Sequence, residues 1–194
     1  EELGRELLDA GESQAFAVVD HQVAHVYLND PGVLVQVEHE LRATPGIANV
    51  YVGDARGAIG LDHPRSGDLI AFAEPGAWFT YYYWLDDARA PDFARTVDIH
   101  RKPGYDPVEL FLDPKLSVPK ARIGWMVAKK KMGFRTLMEV IPLDATLVKG
   151  SHGLAPVRAE EGAMLMSSER GLVEGGQVGA TGVFELMLRH LTQG

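Results

Sequence analysis

The sequence predicts an α/β protein with a mixed sheet, flanking helices and one long irregular stretch. Two observations favour this class: short apolar runs alternate with turn signals, and segments with helical spacing lie between and after these runs. The 194 residues are 46% hydrophobic and 24% charged, a balance typical of a globular chain that buries a core. We expect residues 1–194 to form a single unit, which at this length is one large domain or most of one.

The first half predicts two helices and four strands. Residues 3–10 predict a short helix that Gly11 ends, and residues 33–42 carry apolar side chains at the spacing of an amphipathic helix. Apolar or alternating runs bounded by glycine, proline or aspartate predict the strands, at residues 15–19, 23–28, 48–52 and 68–73. Helix and strand in this order indicate a layered α/β structure.

The second half begins with an irregular, aromatic stretch. Six aromatic residues lie between Trp78 and Trp84, and five prolines exclude long regular elements from residues 78–119. Because the aromatic content argues against disorder, we expect an ordered excursion that packs on the core. The remaining chain predicts a helix at residues 122–134 and an extended segment at residues 136–141. It also predicts a strand within residues 162–168 and a closing helix at residues 181–191 that Thr181 caps.

Charge and missing residue types exclude several functions. The net charge of -8 repels phosphate backbones, so we expect no nucleic-acid polymer as partner, although a bound divalent metal can reverse the field locally. The chain has no cysteine, which excludes disulfides and zinc-thiolate sites. No apolar run approaches the roughly 18 residues of a bilayer span, so we expect no membrane partner and a cytoplasmic location.

Several familiar templates do not occur in the sequence. The nucleotide-binding patterns GxGxxG and GxxxxGK[ST], the GxSxG elbow and the HExxH zinc motif are all missing. The short basic run Lys129-Lys130-Lys131 is typical of a solvated helical face rather than of a binding patch.

The first candidate site is the sequence Gly150-Ser151-His152-Gly153. Glycines on both sides of Ser151-His152 let the backbone bend and leave the imidazole open to approach, as a metal ligand requires. Spacing alone nevertheless favours a plain surface turn.

A second candidate is Asp20-His21, with His25 four residues further on. A carboxylate beside an imidazole resembles part of a metal cluster. If the segment is extended, however, the two histidines stand roughly 13 Å apart by strand rise and cannot share one ion. We therefore assign no ligand role to Asp20 or His21.

A third candidate lies in the proline-stiffened loop at residues 98–107. It contains two acids, one imidazole and two cations, and polar groups on rigid loops are common at substrate sites. We predict His100 and Lys102 as substrate-binding residues. A satisfied surface network explains the same composition equally well.

Two stretches of the sequence together resemble the C-terminal part of the type I phosphodiesterases and nucleotide pyrophosphatases of the alkaline phosphatase superfamily. The stretch Arg65-Ser66-Gly67-Asp68 is similar to the RxGD strand start of that superfamily, where the glycine and the aspartate have structural roles. The GSHG stretch is similar to the late GxHG element, whose histidine binds a metal, and residues 78–112 look like a subfamily-specific insertion.

The resemblance implies a C-terminal portion of an alkaline-phosphatase-like core and a metal-dependent hydrolase of phosphate or phosphonate esters. His152 would be one ligand of a two-metal centre, with zinc as the usual metal and a threonine or serine as nucleophile. The nucleophile is not found in this sequence. Asp20-His21-Gln22 departs from the paired DHG ligands because Gln22 replaces the glycine, so the resemblance adds no ligand role for Asp20 or His21. We therefore expect a fragment that is inactive alone, and no catalytic residue is assigned.

A non-catalytic binding or assembly domain is the alternative. In that case the aromatic stretch would serve as a protein interface, since tryptophan and tyrosine are favoured there. A truncated fold would also expose apolar surface, so self-association into a homo-oligomer is a further expectation.

Overall fold

The computed structural model describes residues 4–97, 102, 104, 106–156, 158–173 and 177–193. The chain divides into two compact units, Glu1–Leu154 and Ala155–Gly194, which we describe separately. The described residues of unit 1 form four strands and two helices, which are β1 Ala15–Asp20, β2 Val23–Leu28, α1 Leu34–Ala43, β3 Ile47–Val52, β4 Leu69–Ala73 and α2 Pro119–Lys131. Unit 2 contains α3 Gly182–Gln193. No described helix combines the length and the apolar character that a bilayer crossing requires.

The four strands form one sheet with the order β1-β2-β4-β3. Each neighbouring pair is antiparallel, so the prediction of a mixed sheet is wrong for the described residues. The helix α1 does connect two strands of like direction, β2 and β3, as an α/β crossover would. However, β4 returns between them and pairs with both, which replaces the expected parallel pairing with two antiparallel ones.

The core of the sheet lies on its central strands. Leu69, Ile70 and Ala71 of the central strand β4 are fully buried, and since successive side chains of a strand point to opposite faces, both faces of the sheet are covered there. The helix α1 covers one face, and its apolar positions Leu34, Val37 and Leu41 pack against the cluster that contains Leu69. The predicted strands and the predicted amphipathic helix of this part of the chain are therefore confirmed.

The RxGD stretch determines how β4 begins. A Cβ at Gly67 would lie 2.6 Å from Val26 N and 2.7 Å from Val26 O, so only glycine fits against the backbone of β2. The Asp68 carboxylate accepts a hydrogen bond from Leu28 N at 2.8 Å. Both residues have the structural role that the sequence indicated, and the glycine is required by a close backbone approach.

The residues that follow β4 are irregular, as predicted. Between residues 78 and 118 the described chain contains only short 3-10 turns and the isolated bridge from Thr96 to Glu139. Tyr81 and Trp84 are buried in a second core cluster, and the Trp84 Nε1–H donates to Asp87 Oδ1 at 2.9 Å. The aromatic stretch thus forms interior packing, which removes these two side chains from any partner interface.

Three predicted elements differ from the structure. Residues 4–10 are not helical. Instead, the Glu6 N–H donates to Arg89 O, and the Glu6 carboxylate pairs with the Arg89 guanidinium at 2.6 Å. The helix α2 begins at Pro119, three residues earlier than predicted, because proline at the first helical position lacks only a donor that would have no partner there.

The predicted strand at residues 162–168 is also wrong. Met164 and Met166 are 79% and 81% exposed, and no strand of unit 2 is present among its described residues to pair with this segment. The closing helix is confirmed as α3. Its His190 Nδ1–H donates to Leu186 O at 2.8 Å, while Nε2 lies 2.7 Å from the Ser167 hydroxyl.

Candidate metal centre

The turn between β1 and β2 places a histidine at the tip of the first hairpin. Asp20 pairs with Val23 in the strand register, so the turn consists of His21 and Gln22 alone. Two-residue hairpins require a positive φ at the first turn position, and His21 adopts a φ of 56°. It is the one non-glycine residue with positive φ among the described residues, and histidine tolerates this region better than most residues.

Backbone hydrogen bonds fix this turn from two sides. The Phe79 N–H donates to His21 O at 2.7 Å, and the Ala73 N–H donates to Gln22 O at 3.0 Å. The Gln22 side-chain amide donates to Ala77 O at 3.0 Å. The end of β4 and the start of the aromatic stretch therefore hold His21 in position.

The GSHG loop closes against the same turn. The Gln22 N–H donates to His152 O at 3.1 Å. Gly153 has a φ of 120°, and a Cβ there would lie 3.2 Å from Gln22 N and 3.3 Å from Val23 Cγ2. Glycine is needed at this position because a side chain would be strained and would crowd the hairpin. By contrast, a Cβ at Gly150 would meet nothing within 4 Å.

Three potential metal ligands meet at this junction. Asp20, His21 and His152 each offer one ligand atom, and these atoms all lie within 4.8 Å of one another. The ring centroids of His21 and His152 are 3.9 Å apart. His21 is partly buried, and its Nδ1 has no hydrogen-bond partner among the described residues. A buried ring nitrogen left without a partner is a group that an ion could satisfy.

Electrostatics favour a neutral His21. Burial lowers the pKa of His21, the neighbouring His152 lowers it further, and the Asp20 carboxylate opposes both effects. A neutral imidazole is the form that binds a metal, because the coordinating nitrogen must carry a free lone pair.

The chemistry of the three groups fits a divalent ion. Two imidazoles and one carboxylate are a common donor set for zinc, and the site is open to the exposed side of Asp20 and His152. Since metal–ligand bonds are about 2.0–2.2 Å long, donor atoms of one ion lie within roughly 4 Å of each other. The three side chains therefore need only small adjustments to share an ion.

An open cleft of about 610 Å³ adjoins the cluster. Its lining combines the hairpin turn, the residues after β4 and the GSHG loop, and consists of Gln22, Gly76, Ala77, Trp78, Ala145, Thr146, Val148, Lys149, Gly150 and Ser151. Gln22 and Ser151 are the direct neighbours of His21 and His152 in the chain. The cleft therefore begins next to the candidate ligands and offers one cation, Lys149, and one aromatic side chain, Trp78.

The other predicted site residues lie elsewhere. His25 is on β2, and its Nδ1 accepts a hydrogen bond from Gly67 N at 3.1 Å, so it supports the start of β4. The Lys102 side chain is fully buried, with Nζ 3.0 Å from Glu109 Oε2 and 3.4 Å from Ala94 O. It is not among the residues that line the cleft, and its assignment to substrate stays a prediction. His100 lies outside the described residues.

A comparison with protein families matches the part of the chain that contains Asp20 and His21. The model for the family described as type I phosphodiesterase / nucleotide pyrophosphatase matches residues 5–106, more than half of the chain. The chain belongs to this family. The predicted resemblance to this family is thereby confirmed, and the matched residues include the RxGD stretch but not the GSHG stretch. The phosphodiesterase family match includes Asp20 and His21 and ends before His152. No curated protein and no solved structure shows significant similarity to the chain.

Sequence reasoning missed two members of the cluster in this phosphodiesterase-family chain. It judged Asp20 and His21 by their distance from His25 along a strand, whereas their partner is His152, which reaches them across the fold. A usable signal was present. Two adjacent apolar strands that leave only His21-Gln22 between them require a tight hairpin, which presents a side chain at its tip.

Proposed function

We propose that this member of the phosphodiesterase family hydrolyses phosphate or phosphonate esters in a metal-dependent reaction. Asp20, His21 and His152 would hold a divalent ion, and zinc suits this donor set. The observation that carries the proposal is the convergence of these three groups within 4.8 Å, beside an open cleft. Family membership supports the reaction class, since its name describes hydrolysis of phosphoesters and pyrophosphates.

The residues of this chain would bind, orient and neutralise the substrate. The bound ion supplies positive charge that offsets the charge on phosphoryl oxygens in the transition state. His21 contributes a ring nitrogen fixed by the hairpin turn, and the Asp20 carboxylate adds negative charge that strengthens ion binding. Lys149 is exposed at the cleft and offers a cation to a non-bridging phosphate oxygen.

The cleft suggests how the rest of an ester would be accommodated. Trp78 is partly buried in its wall and offers a flat apolar surface to the ester group. This assigns a pocket-shaping role to the first residue of the aromatic stretch, whereas Tyr81 and Trp84 pack in the interior.

We further propose that the described fold belongs to an alkaline-phosphatase-like core, with residues 78–119 as its insertion. The cluster provides three ligands for one ion. A two-metal centre would need further ligands and a threonine or serine nucleophile, and we propose that these come from a part of the enzyme outside this chain. Without that part, the chain would bind an ion and turn over no ester.

Metal content and hydrolysis of a chromogenic phosphodiester, measured on the full-length protein, test the proposal together. Wild-type protein should carry zinc or another divalent ion, and His152→Ala or His21→Ala should lower both its metal content and its rate by at least about tenfold. His39→Ala is the matched control, because His39 lies exposed on α1 and outside the cluster. If His152→Ala and His39→Ala keep equal metal and equal activity, the metal centre is refuted.

A further inference from the structure

The helix α2 and the residues that flank it carry a concentrated positive charge. Seven of the 19 lysines and arginines fall within residues 115–135, which contain no aspartate or glutamate. The chain as a whole has a net charge of -8. This segment is therefore locally opposite in sign to the rest of the protein, and at physiological salt its field acts over about 8–10 Å without cancellation from distant acids.

One face of α2 combines this charge with exposed apolar groups. Met126 is buried and Ile123 packs against the Val140–Ile141 core, which fixes the inner face of the helix. The outer stripe follows at spacings of three and four residues and consists of Val118, Arg122, Trp125, Lys129 and Met132. In this stripe apolar and cationic side chains alternate along the helix axis.

The apolar members of the stripe are well exposed. Trp125 is 58% exposed, Met132 is 59% exposed, and Phe134, just beyond the helix, is 62% exposed. The Lys129 ammonium lies 5.5 Å from the centre of the Trp125 ring, so a cation and an aromatic side chain are presented together. Large apolar side chains that stay exposed beside cations mark a surface that contacts something other than water.

These side chains also line an open groove of about 800 Å³. Its walls are α2 and the chain that follows it, and they include Arg122, Trp125, Lys129, Met132, Phe134 and Arg135. Three of these six groups are cations and three are apolar. One acid, Glu139, also lines the groove, so the three cations still exceed the acids, and an occupant that is both anionic and apolar suits this lining.

We propose that this face of α2 docks on the surface of an anionic lipid bilayer. Trp125, Met132 and Phe134 lie at the boundary between headgroups and acyl chains, where amphipathic aromatic and apolar side chains are favoured. Arg122, Lys129 and Arg135 reach the lipid phosphates, since long cationic side chains extend from an apolar surface toward charged headgroups.

A bilayer explains the groove better than a nucleic acid does. A polynucleotide would use the cations and stack on Trp125, but it gives Met132 and Val118 nothing apolar to contact. The expectation of no membrane partner rested on the lack of a spanning segment. A helix that lies on the surface needs no such segment, because it buries only one face.

Vesicle co-sedimentation tests the proposal. The protein should pellet with vesicles that contain about 30% phosphatidylglycerol and stay in solution with phosphatidylcholine alone, and binding should fall at least about fivefold from about 0.1 M to about 0.5 M salt. The substitution Trp125→Ala combined with Phe134→Ala, and separately Arg122→Glu combined with Lys129→Glu, should each weaken binding about tenfold or more.

Two control variants separate this face from charge and apolarity elsewhere. Lys120→Glu reverses a charge on α2 outside the stripe, and Leu85→Ala removes a side chain that is 100% exposed. Both should bind vesicles within about twofold of wild type. Equal binding to neutral and anionic vesicles, loss of binding in the controls alone, or preferential binding of single-stranded polynucleotide over vesicles would each overturn the proposal.

Discussion

The imidazole rings of His21 and His152 lie 3.9 Å apart, centre to centre, with 31° between their planes. One ring belongs to the tip of the first hairpin and the other to a loop near the end of unit 1. Two charged imidazoles at this distance would repel each other, and the pKa of His21 is lowered accordingly, after the larger effect of burial. The neutral form of His21 is therefore favoured, and its Nδ1 has no hydrogen-bond partner among the described residues and can bind an ion.

Gly153 should be required for this pair. We predict that Gly153→Ala lowers the free energy of unfolding of unit 1 by about 1–3 kcal/mol, since alanine is strained at a φ of 120° and crowds Gln22 N. It should also weaken metal binding by moving His152. Gly150→Ala, whose Cβ meets nothing within 4 Å, should change both by little. Urea unfolding and metal titration measure these effects, and equal behaviour of the two variants would contradict the prediction.

Gly67 should be the least replaceable glycine of the sheet. A Cβ there lies 2.6 Å from Val26 N, and backbone cannot move aside as a flexible side chain can. We expect Gly67→Ala to cost about 3 kcal/mol or more in urea unfolding. Gly124→Ala is the control, for which we expect a change of opposite sign. A Cβ at Gly124 on α2 would meet nothing within 4 Å, so alanine should stabilise the protein by about 0.5–1 kcal/mol. A neutral Gly67→Ala would disprove the close approach.

Substitutions in the buried pair of Lys102 and Glu109 can show whether Lys102 has a structural role or binds substrate. Their side chains are 0% and 4% exposed, so Lys102→Met leaves a carboxylate buried without its cation and should cost about 3–5 kcal/mol of stability. The double change Lys102→Met with Glu109→Leu should recover most of this loss. If the recovered double variant, made in the full-length protein, hydrolyses substrate with a KM raised about tenfold or more, Lys102 binds substrate as the sequence predicted. An unchanged KM assigns it to the core.

Stability should fall as pH rises through neutrality, because of Asp106. Burial raises the pKa of this carboxyl to about 7, the neighbouring Tyr81 backbone N–H opposes this effect, and Glu109 raises the pKa further. The folded state therefore favours the protonated form. The resulting stability is complete below the ordinary value of 3.8 and is lost as pH rises through about 7.

Urea unfolding between about pH 5 and about pH 8 measures this loss, which one group can contribute at up to about 1.4 kcal/mol per pH unit. Asp106→Asn should flatten the dependence, while Asp54→Asn, which changes an exposed carboxyl, should leave it intact. A wild-type protein that is equally stable across this range would show that Asp106 does not titrate as inferred.

The local elements of unit 1 were largely predictable from the sequence. The strands around Asp20-His21, the helix at α1 and the buried strand β4 follow from apolar spacing and turn residues, which are properties of neighbouring positions. The antiparallel order was not predictable in this way. The position of β4 between β2 and β3 depends on pairing between distant segments, and an apolar run has the same pattern in parallel and antiparallel sheets when it is buried on both faces.

The candidate site was likewise predictable only where the signal was local in the sequence. His152 was identified from its glycine-flanked loop, and resemblance gave it a role. Asp20 and His21 were set aside, because the comparison available in the sequence was with His25, their neighbour along the chain. The burial of Lys102 was not predictable either. A lysine in a polar loop gives no sign that it will form a buried ion pair with Glu109.

The hairpin contact also has a consequence for the order of folding. Gln22 N can meet His152 O only after the sheet, the aromatic interior and the chain up to the GSHG loop have all come together. Closing so long a segment costs entropy that no local contact offsets, and such contacts form late. The two histidines should therefore become neighbours only near the end of folding. An ion bound there would then select completed molecules over partly folded ones.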